Sequence, residues 1–132
     1  MFGPFASKCN HLSMREAQQV LEHNSEITLL DVRTHDEYRQ GHIPGSINIP
    51  LDRLQHGLST FLPEKNAQVF VYCLSGARSQ SACAIMARSG YAHVTNIGGI
   101  MSWQGPTVAG AESGFRPDYP AQQDRYADAA DR

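Results

Sequence analysis

From residue 13 onward the chain alternates between short apolar runs and segments whose apolar residues recur every three to four positions. Ser13-Met14-Arg15-Glu16 reads as a capping box, and Ala17, Val20 and Leu21 follow at helical spacing, predicting a helix that ends near Asn24. Ile27-Thr28-Leu29-Leu30-Asp31-Val32 has the length and composition of a strand, with Asp31 near its C-terminal end. Thr34-His35-Asp36-Glu37 is a second capping box, opening a short helix stopped by Gly41. His42-Ile43-Pro44-Gly45 reads as a turn, and Ser46-Ile47-Asn48-Ile49 as a short strand. Leu51, Leu54, Leu58 and Leu62 carry helical spacing, limited by Gly57 and Pro63. Val69–Tyr72 is the most buried strand by composition, and a helix is predicted from Ser79 to Ser89, with Ala82, Ile85 and Met86 facing the core and Gly90 ending it. His93-Val94-Thr95-Asn96-Ile97 is a further strand, and Gly98-Gly99 leads to a short helix around Met101–Gln104.

Strands alternating with helices over Ser13–Trp103 predict an α/β sandwich built on a largely parallel sheet. In such sheets the ligand site lies outside the carboxyl ends of the strands, so Asp31 and Cys73 are expected to share one crevice. The 132 residues suffice for one core. Residues 1–10 read as an N-terminal segment, 11–108 as the domain and 109–132 as a flexible tail, rich in Gly, Ala, Asp, Pro and Gln, with a weak helix over 120–130 as the alternative. A formal net charge of −2 gives no sign of a nucleic-acid or membrane partner, and no apolar run is long enough to span a bilayer. The first residues lack a secretory pattern, and three cysteines without framework spacing predict reduced thiols in the cytoplasm. Neither His-x3-His nor Cys-x-x-Cys occurs, so no metal and no cofactor are expected.

The chemistry concentrates in Cys73-Leu74-Ser75-Gly76-Ala77-Arg78-Ser79. A thiol is placed where a buried strand ends and a tight loop turns toward a helix N-terminus. Loop amides and the first helical N–H groups have no intrahelical partner and stabilise an anion there. With Arg78 as a fixed positive charge, Cys73 is expected to have a depressed pKa and to act as a nucleophile. Ser75 and Ser79 read as helix caps or as hydroxyls within reach of the sulfur, with Ser79 where a cap is expected. Cys83 reads as inert packing within the helix, and Cys9 as an incidental thiol, with a resolving or surface thiol as the alternative.

Leu30-Asp31-Val32-Arg33 with Glu37-Tyr38 and Gly41–Ser46, the Cys73–Ser79 loop, and Gly98-Gly99-Ile100 with Trp103 together resemble the three signatures of the rhodanese sulfurtransferase family, over roughly Leu12–Gln104. The resemblance implies a rhodanese-like three-layer sandwich and a sulfurtransferase of the thiosulfate:cyanide type. In it, Cys73 takes a sulfane sulfur from a donor such as thiosulfate or a persulfide, becomes a persulfide, and passes the sulfur to cyanide or a thiol. The amides of Leu74, Ser75, Gly76, Ala77 and Arg78 would cradle the charged sulfur, and Arg78 would meet the donor's charge or brace the loop through a carboxylate. Asp31, Arg33 and Ser79 are expected to support the loop, Arg33 and Glu37 are spaced for a local ion pair, and His42 is expected to be a structural hydrogen-bonder. Related phosphatases resemble Cys-x5-Arg. Here four residues separate Cys73 from Arg78, a smaller ring suited to a single sulfur. Thiosulfate users of the family often place a basic residue directly after the cysteine. This chain has Leu74 and Ser75 there, leaving Arg78 as the only loop cation. The alternative is a persulfide carrier that hands sulfur to a partner protein with little small-molecule turnover.

Overall fold

The computed structural model describes residues 9–112. The N-terminal segment before Cys9 and the expected tail beyond Glu112 lie outside them. Five strands, β1 (Cys9–His11), β2 (Thr28–Asp31), β3 (Ile47–Asn48), β4 (Gln68–Cys73) and β5 (His93–Gly99), form one sheet in the order β1-β5-β4-β2-β3. All of its pairings are parallel. The connections are helices: α1 (Met14–His23), α2 (His35–Gln40), α3 (Leu54–Phe61) and α4 (Ala77–Arg88), because parallel neighbours need a crossover long enough to return to the starting edge. Both capping boxes form as the sequence predicts. Ser13 and Thr34 accept from the backbone of Glu16 and Glu37, whose carboxylates reach back to the cap N–H groups.

The core has two halves, one on each face of the sheet. Along β4 the side chains alternate: Val69, Val71 and Cys73 pack with Leu54, Leu58, Ala82 and Met86 of α3 and α4, whereas Phe70 and Tyr72 pack with Met14, Ala17 and Leu21 of α1. This places the Cys73 side chain on the α4 face, beneath the start of that helix. The result is the predicted sandwich, with a sheet buried on both faces.

Three details differ from the sequence reading. β1 is an additional strand, a three-residue edge that its composition does not announce and that owes its form to pairing with Val94–Asn96 of β5. α4 begins at Ala77 rather than Ser79, because Gly76 at φ 116° already supplies the N-cap in the left-handed region. Ser79 is therefore inside the first turn, not a cap. Lastly, Cys9 and Cys83 form a disulfide, with 5.6 Å between their Cα atoms across 74 residues of sequence. Cys9 is thus no incidental thiol and Cys83 no inert packing residue. The β1–β5 pairing carries Cys9 up against α4, a proximity that sequence spacing does not reveal. Disulfides persist in oxidising compartments, so the cysteine count no longer argues for a reducing one. Among the described residues no helix is long and apolar enough to cross a membrane.

The bond closes a long loop and ties an edge strand to the helix that follows Cys73. Urea unfolding in the presence of reductant, or of Cys9→Ser, should show a loss of about 2–4 kcal/mol. Thiol titration of the unfolded chain should find one free thiol before reduction and three after it. Three without reduction would mean that the bond does not form.

Candidate active site

Cys73 is the last residue of β4 and only 1% exposed, so its sulfur lies at the bottom of the loop. The ring closes over it quickly. The N–H of Gly76 donates to Sγ at 3.0 Å, and Gly76 then caps α4. The loop rests on the end of β5. The β4–β5 register slips between Val71 and Cys73, so that Cys73 pairs with Gly99, and the N–H of Met101 donates to the Leu74 carbonyl at 3.3 Å. A Cβ at Gly99 would run into the Leu74 carbonyl and the Ser75 Cα. Gly99 is therefore the seat on which the Cys73 loop lies, and only a glycine there leaves room for it.

Burial pushes the Cys73 thiol up, but the Ser79 hydroxyl and the backbone N–H groups of Ser79, Gly76 and Ser75 outweigh it and leave the thiol below its ordinary value. The main-chain donors among them need little reorganisation when charge appears. Ser79 is fully buried, 3.5 Å from Sγ, with its hydroxyl donating to Asn96 Oδ1 at 2.7 Å.

Arg78 does not face the sulfur as an uncommitted cation. Its Nη1 and Nη2 donate to the two carboxylate oxygens of Glu37 at 2.7 and 3.0 Å. The Arg78 guanidinium holds the Glu37 carboxyl down at about 2, against the upward push of burial and with help from Thr34. The pair therefore stays ionised at any pH at which a thiol reacts. This is the brace of the two roles open to Arg78, and it locks α2 to the first turn of α4. It also replaces the local Arg33–Glu37 ion pair expected from spacing.

Arg33 instead donates through Nε and Nη2 to buried Asp31, at 2.7–3.1 Å, and from Nη2 to the Gly41 carbonyl at 2.7 Å. Asp31 and Arg33 thus fasten the end of β2 to the turn after α2, and any support they give the Cys73 loop is indirect. His42 is fully buried, stacks on Tyr38 with ring centroids 3.6 Å apart, and has Nδ1 2.8 Å from the Tyr38 carbonyl. That is the structural role expected of it.

Sequence reasoning brought Cys73, Ser75, Gly76, Arg78 and Ser79 to one place but missed three neighbours. Glu37 had a signal, an acidic residue opening a helix, that was assigned to the wrong arginine. Asn96 lies in a strand of mixed polarity, beside His93 and Thr95, where one more polar residue does not stand out. Met101, 74% exposed beside Leu74, carried no readable signal. A cleft of about 830 Å³ lined by residues such as Glu26, Ile27, Glu64 and Gln68 opens at the other end of the sheet, near the starts of β2 and β4, away from Cys73. No group of three His, Cys, Asp or Glu among the described residues could hold a metal.

The sheet order, the crossovers and a thiol ringed by amides at the end of a central strand define a class, and comparison with known proteins agrees. The profile of the Rhodanese-like domain matches residues 13–106. Thiosulfate sulfurtransferase PspE of Escherichia coli is 42% identical over 81 residues, which is 61% of this chain and 78% of that protein. The putative sulfur carrier protein YrkF of Bacillus subtilis is 31% identical over 103 residues, 77% of this chain and 55% of that one. A solved structure described as a rhodanese with anions from E. coli superposes with a TM-score of 0.60 at 40% identity, covering 64% of this chain and 99% of the other. The chain belongs to the rhodanese family of sulfurtransferases.

Two measurements follow from the site's geometry. The iodoacetamide reaction of Cys73 should reach its plateau with a midpoint below the ~8.5 of a free thiol. A depressed pKa keeps the thiolate as pH falls, so the rate should drop only below that lowered midpoint; a midpoint at or above the ordinary value would contradict the amide ring. Gly99→Ala should cost about 1–3 kcal/mol through overpacking and raise the Cys73 midpoint by displacing the ring.

Proposed function

We propose that the protein moves a sulfane sulfur through a persulfide on Cys73. The Sγ thiolate attacks the outer sulfur of the donor, the donor's S–S bond breaks, and its electron pair leaves with the remainder, sulfite if the donor is thiosulfate. Sγ is then bonded to one sulfur, and the negative charge lies on that terminal atom inside the ring formed by residues 74–78. An acceptor nucleophile, cyanide or a thiol, attacks the terminal sulfur and returns Cys73 as a thiolate. The observation that carries this reading is the Gly76 N–H donating to Sγ at 3.0 Å from a loop that caps α4. A ring of this size suits one charged sulfur, and a phosphoryl group with three equatorial oxygens would need a wider one.

Two observations favour a second reading on the side of the partner. Arg78 spends both terminal nitrogens on Glu37, so the loop offers a dianion such as thiosulfate little net attraction. Leu74 and Met101, joined through the backbone and exposed at 39% and 74%, form an apolar lip at the loop. A persulfide or thiol presented by a partner protein fits that lip better than a small free anion. The name of the relative YrkF points the same way.

Incubation with a sulfane donor should add the mass of one sulfur to the wild type and none to Cys73→Ala; an equal adduct on both would end the proposal. Steady-state thiocyanate formation from thiosulfate and cyanide separates the two readings, since fast turnover favours the small-molecule enzyme and slow turnover with ready loading from a protein persulfide favours the carrier. Glu37→Gln should release Arg78 toward the donor and lower KM for thiosulfate by up to about fivefold, the upper end of what one ion pair near the surface contributes. A higher KM in that variant would show that the brace matters more than the charge.

A further inference from the structure

Behind the reacting sulfur lies a small buried network in which one proton has several places to go. Ser79 Oγ is 2.7 Å from Asn96 Oδ1, 3.0 Å from the Gly76 carbonyl, 3.5 Å from the Gly98 carbonyl and 3.5 Å from Cys73 Sγ. A hydroxyl donates one hydrogen bond, so these acceptors compete. The Gly76 carbonyl already receives the N–H of Gln80 at 3.2 Å. The orientation of the Asn96 amide is set from both ends: its Oδ1 accepts the N–H of Gly98 at 2.9 Å, and its Nδ2 donates to Gln80 Oε1 at 3.1 Å. Asn96 therefore turns an acceptor toward Ser79, in a pocket where Ser79 is 0% and Asn96 7% exposed.

When Cys73 is a thiol the chain of donors runs one way. The S–H donates to Ser79 Oγ, and the Ser79 hydroxyl donates to Asn96. Loss of the thiol proton leaves Sγ as an acceptor only, and the Ser79 hydroxyl can meet it by rotating about its Cβ–Oγ bond. Asn96 Oδ1 is not orphaned by that rotation, because it keeps the Gly98 N–H. We propose that Asn96 is a positioning residue for the reacting thiol: it holds the Ser79 proton while Sγ is neutral and yields it when Sγ carries charge.

This rests on the persulfide reading above and gives it a second-half device. Once the Sγ–S bond has formed, Sγ is neutral, the charge has moved to the terminal sulfur, and the Ser79 proton returns to Asn96. As the acceptor attacks that terminal sulfur, the Sγ–S bond breaks and its electron pair comes to Sγ. The Ser79 proton swings back and stabilises the departing thiolate. The competition from Asn96 sets how far Sγ is favoured as the site of charge.

The test is the pH profile of iodoacetamide alkylation at Cys73 in folded variants, a readout that does not require sulfur transfer. Asn96→Leu removes the competing acceptor and should move the midpoint to lower pH by about half a unit, seen as a roughly threefold faster reaction below the midpoint. Asn96→Asp keeps the acceptor and adds negative charge, so its midpoint should move to higher pH. A purely structural disturbance would shift both variants in the same direction. Ser79→Ala should itself raise the midpoint, and Asn96→Leu should have no further effect in that background. A midpoint that stays put or rises in folded Asn96→Leu, or an equal shift with and without the Ser79 hydroxyl, would overturn the assignment. If Cys73 takes up no sulfur from any donor while these shifts appear, the persulfide reading fails and the role of Asn96 toward the thiol stands.

Discussion

A sulfur atom at the buried end of a central strand can hold negative charge only if something replaces the water it has lost, and the architecture around position 73 answers that requirement with main-chain N–H groups. Desolvation alone would raise the thiol, and the nearby backbone donors with the Ser79 hydroxyl reverse the sign. The rest of the site follows from keeping that ring closed. Gly76 must adopt a left-handed conformation to turn its N–H toward Sγ and begin α4. Gly99 must lack a side chain so that the Leu74–Ser75 backbone can lie on β5. The register slip between β4 and β5 brings those two segments together.

The charged side chains serve this ring from outside. Arg78 and Glu37 neutralise each other across α2 and α4, which fixes the first turn of α4 and removes from the loop most of the long-range attraction a lone arginine would give. Asp31 and Arg33 form a buried pair that anchors the turn after α2, while Tyr72 receives the Ile43 N–H and bonds Ser46 from the opposite face of β4. A buried ion pair of this kind is costly to break from one side and specifies geometry more than it adds stability. The two faces of β4 thus do different work, with the Cys73 thiol and its donors on the α4 face and the polar anchoring of the 41–46 turn on the other.

Most of the fold was legible because its signals are local. The capping boxes at Ser13 and Thr34, the strand-length run ending in Cys73, and the glycine at 76 each act within a few residues of themselves, and each appears in the structure with the role its chemistry implies. The start of α4 was misjudged by two residues because a glycine cap competes with a serine cap, and backbone conformation decides between them. The strand at Cys9–His11 was missed because its stability comes from its neighbour rather than its composition.

What the chain alone determined is therefore the place of the Cys73 thiol at a strand end, the size of the ring around it and the alternation of strands and helices, since these depend on residue order and short-range backbone preference. Only the tertiary structure decided which carboxylate takes Arg78, that Asn96 stands behind Ser79, that Leu74 and Met101 share one rim, and that Cys9 meets Cys83. Each of those pairs joins segments far apart in sequence, and a distance of a few ångströms between them is set by strand order and helix packing, which no local pattern encodes.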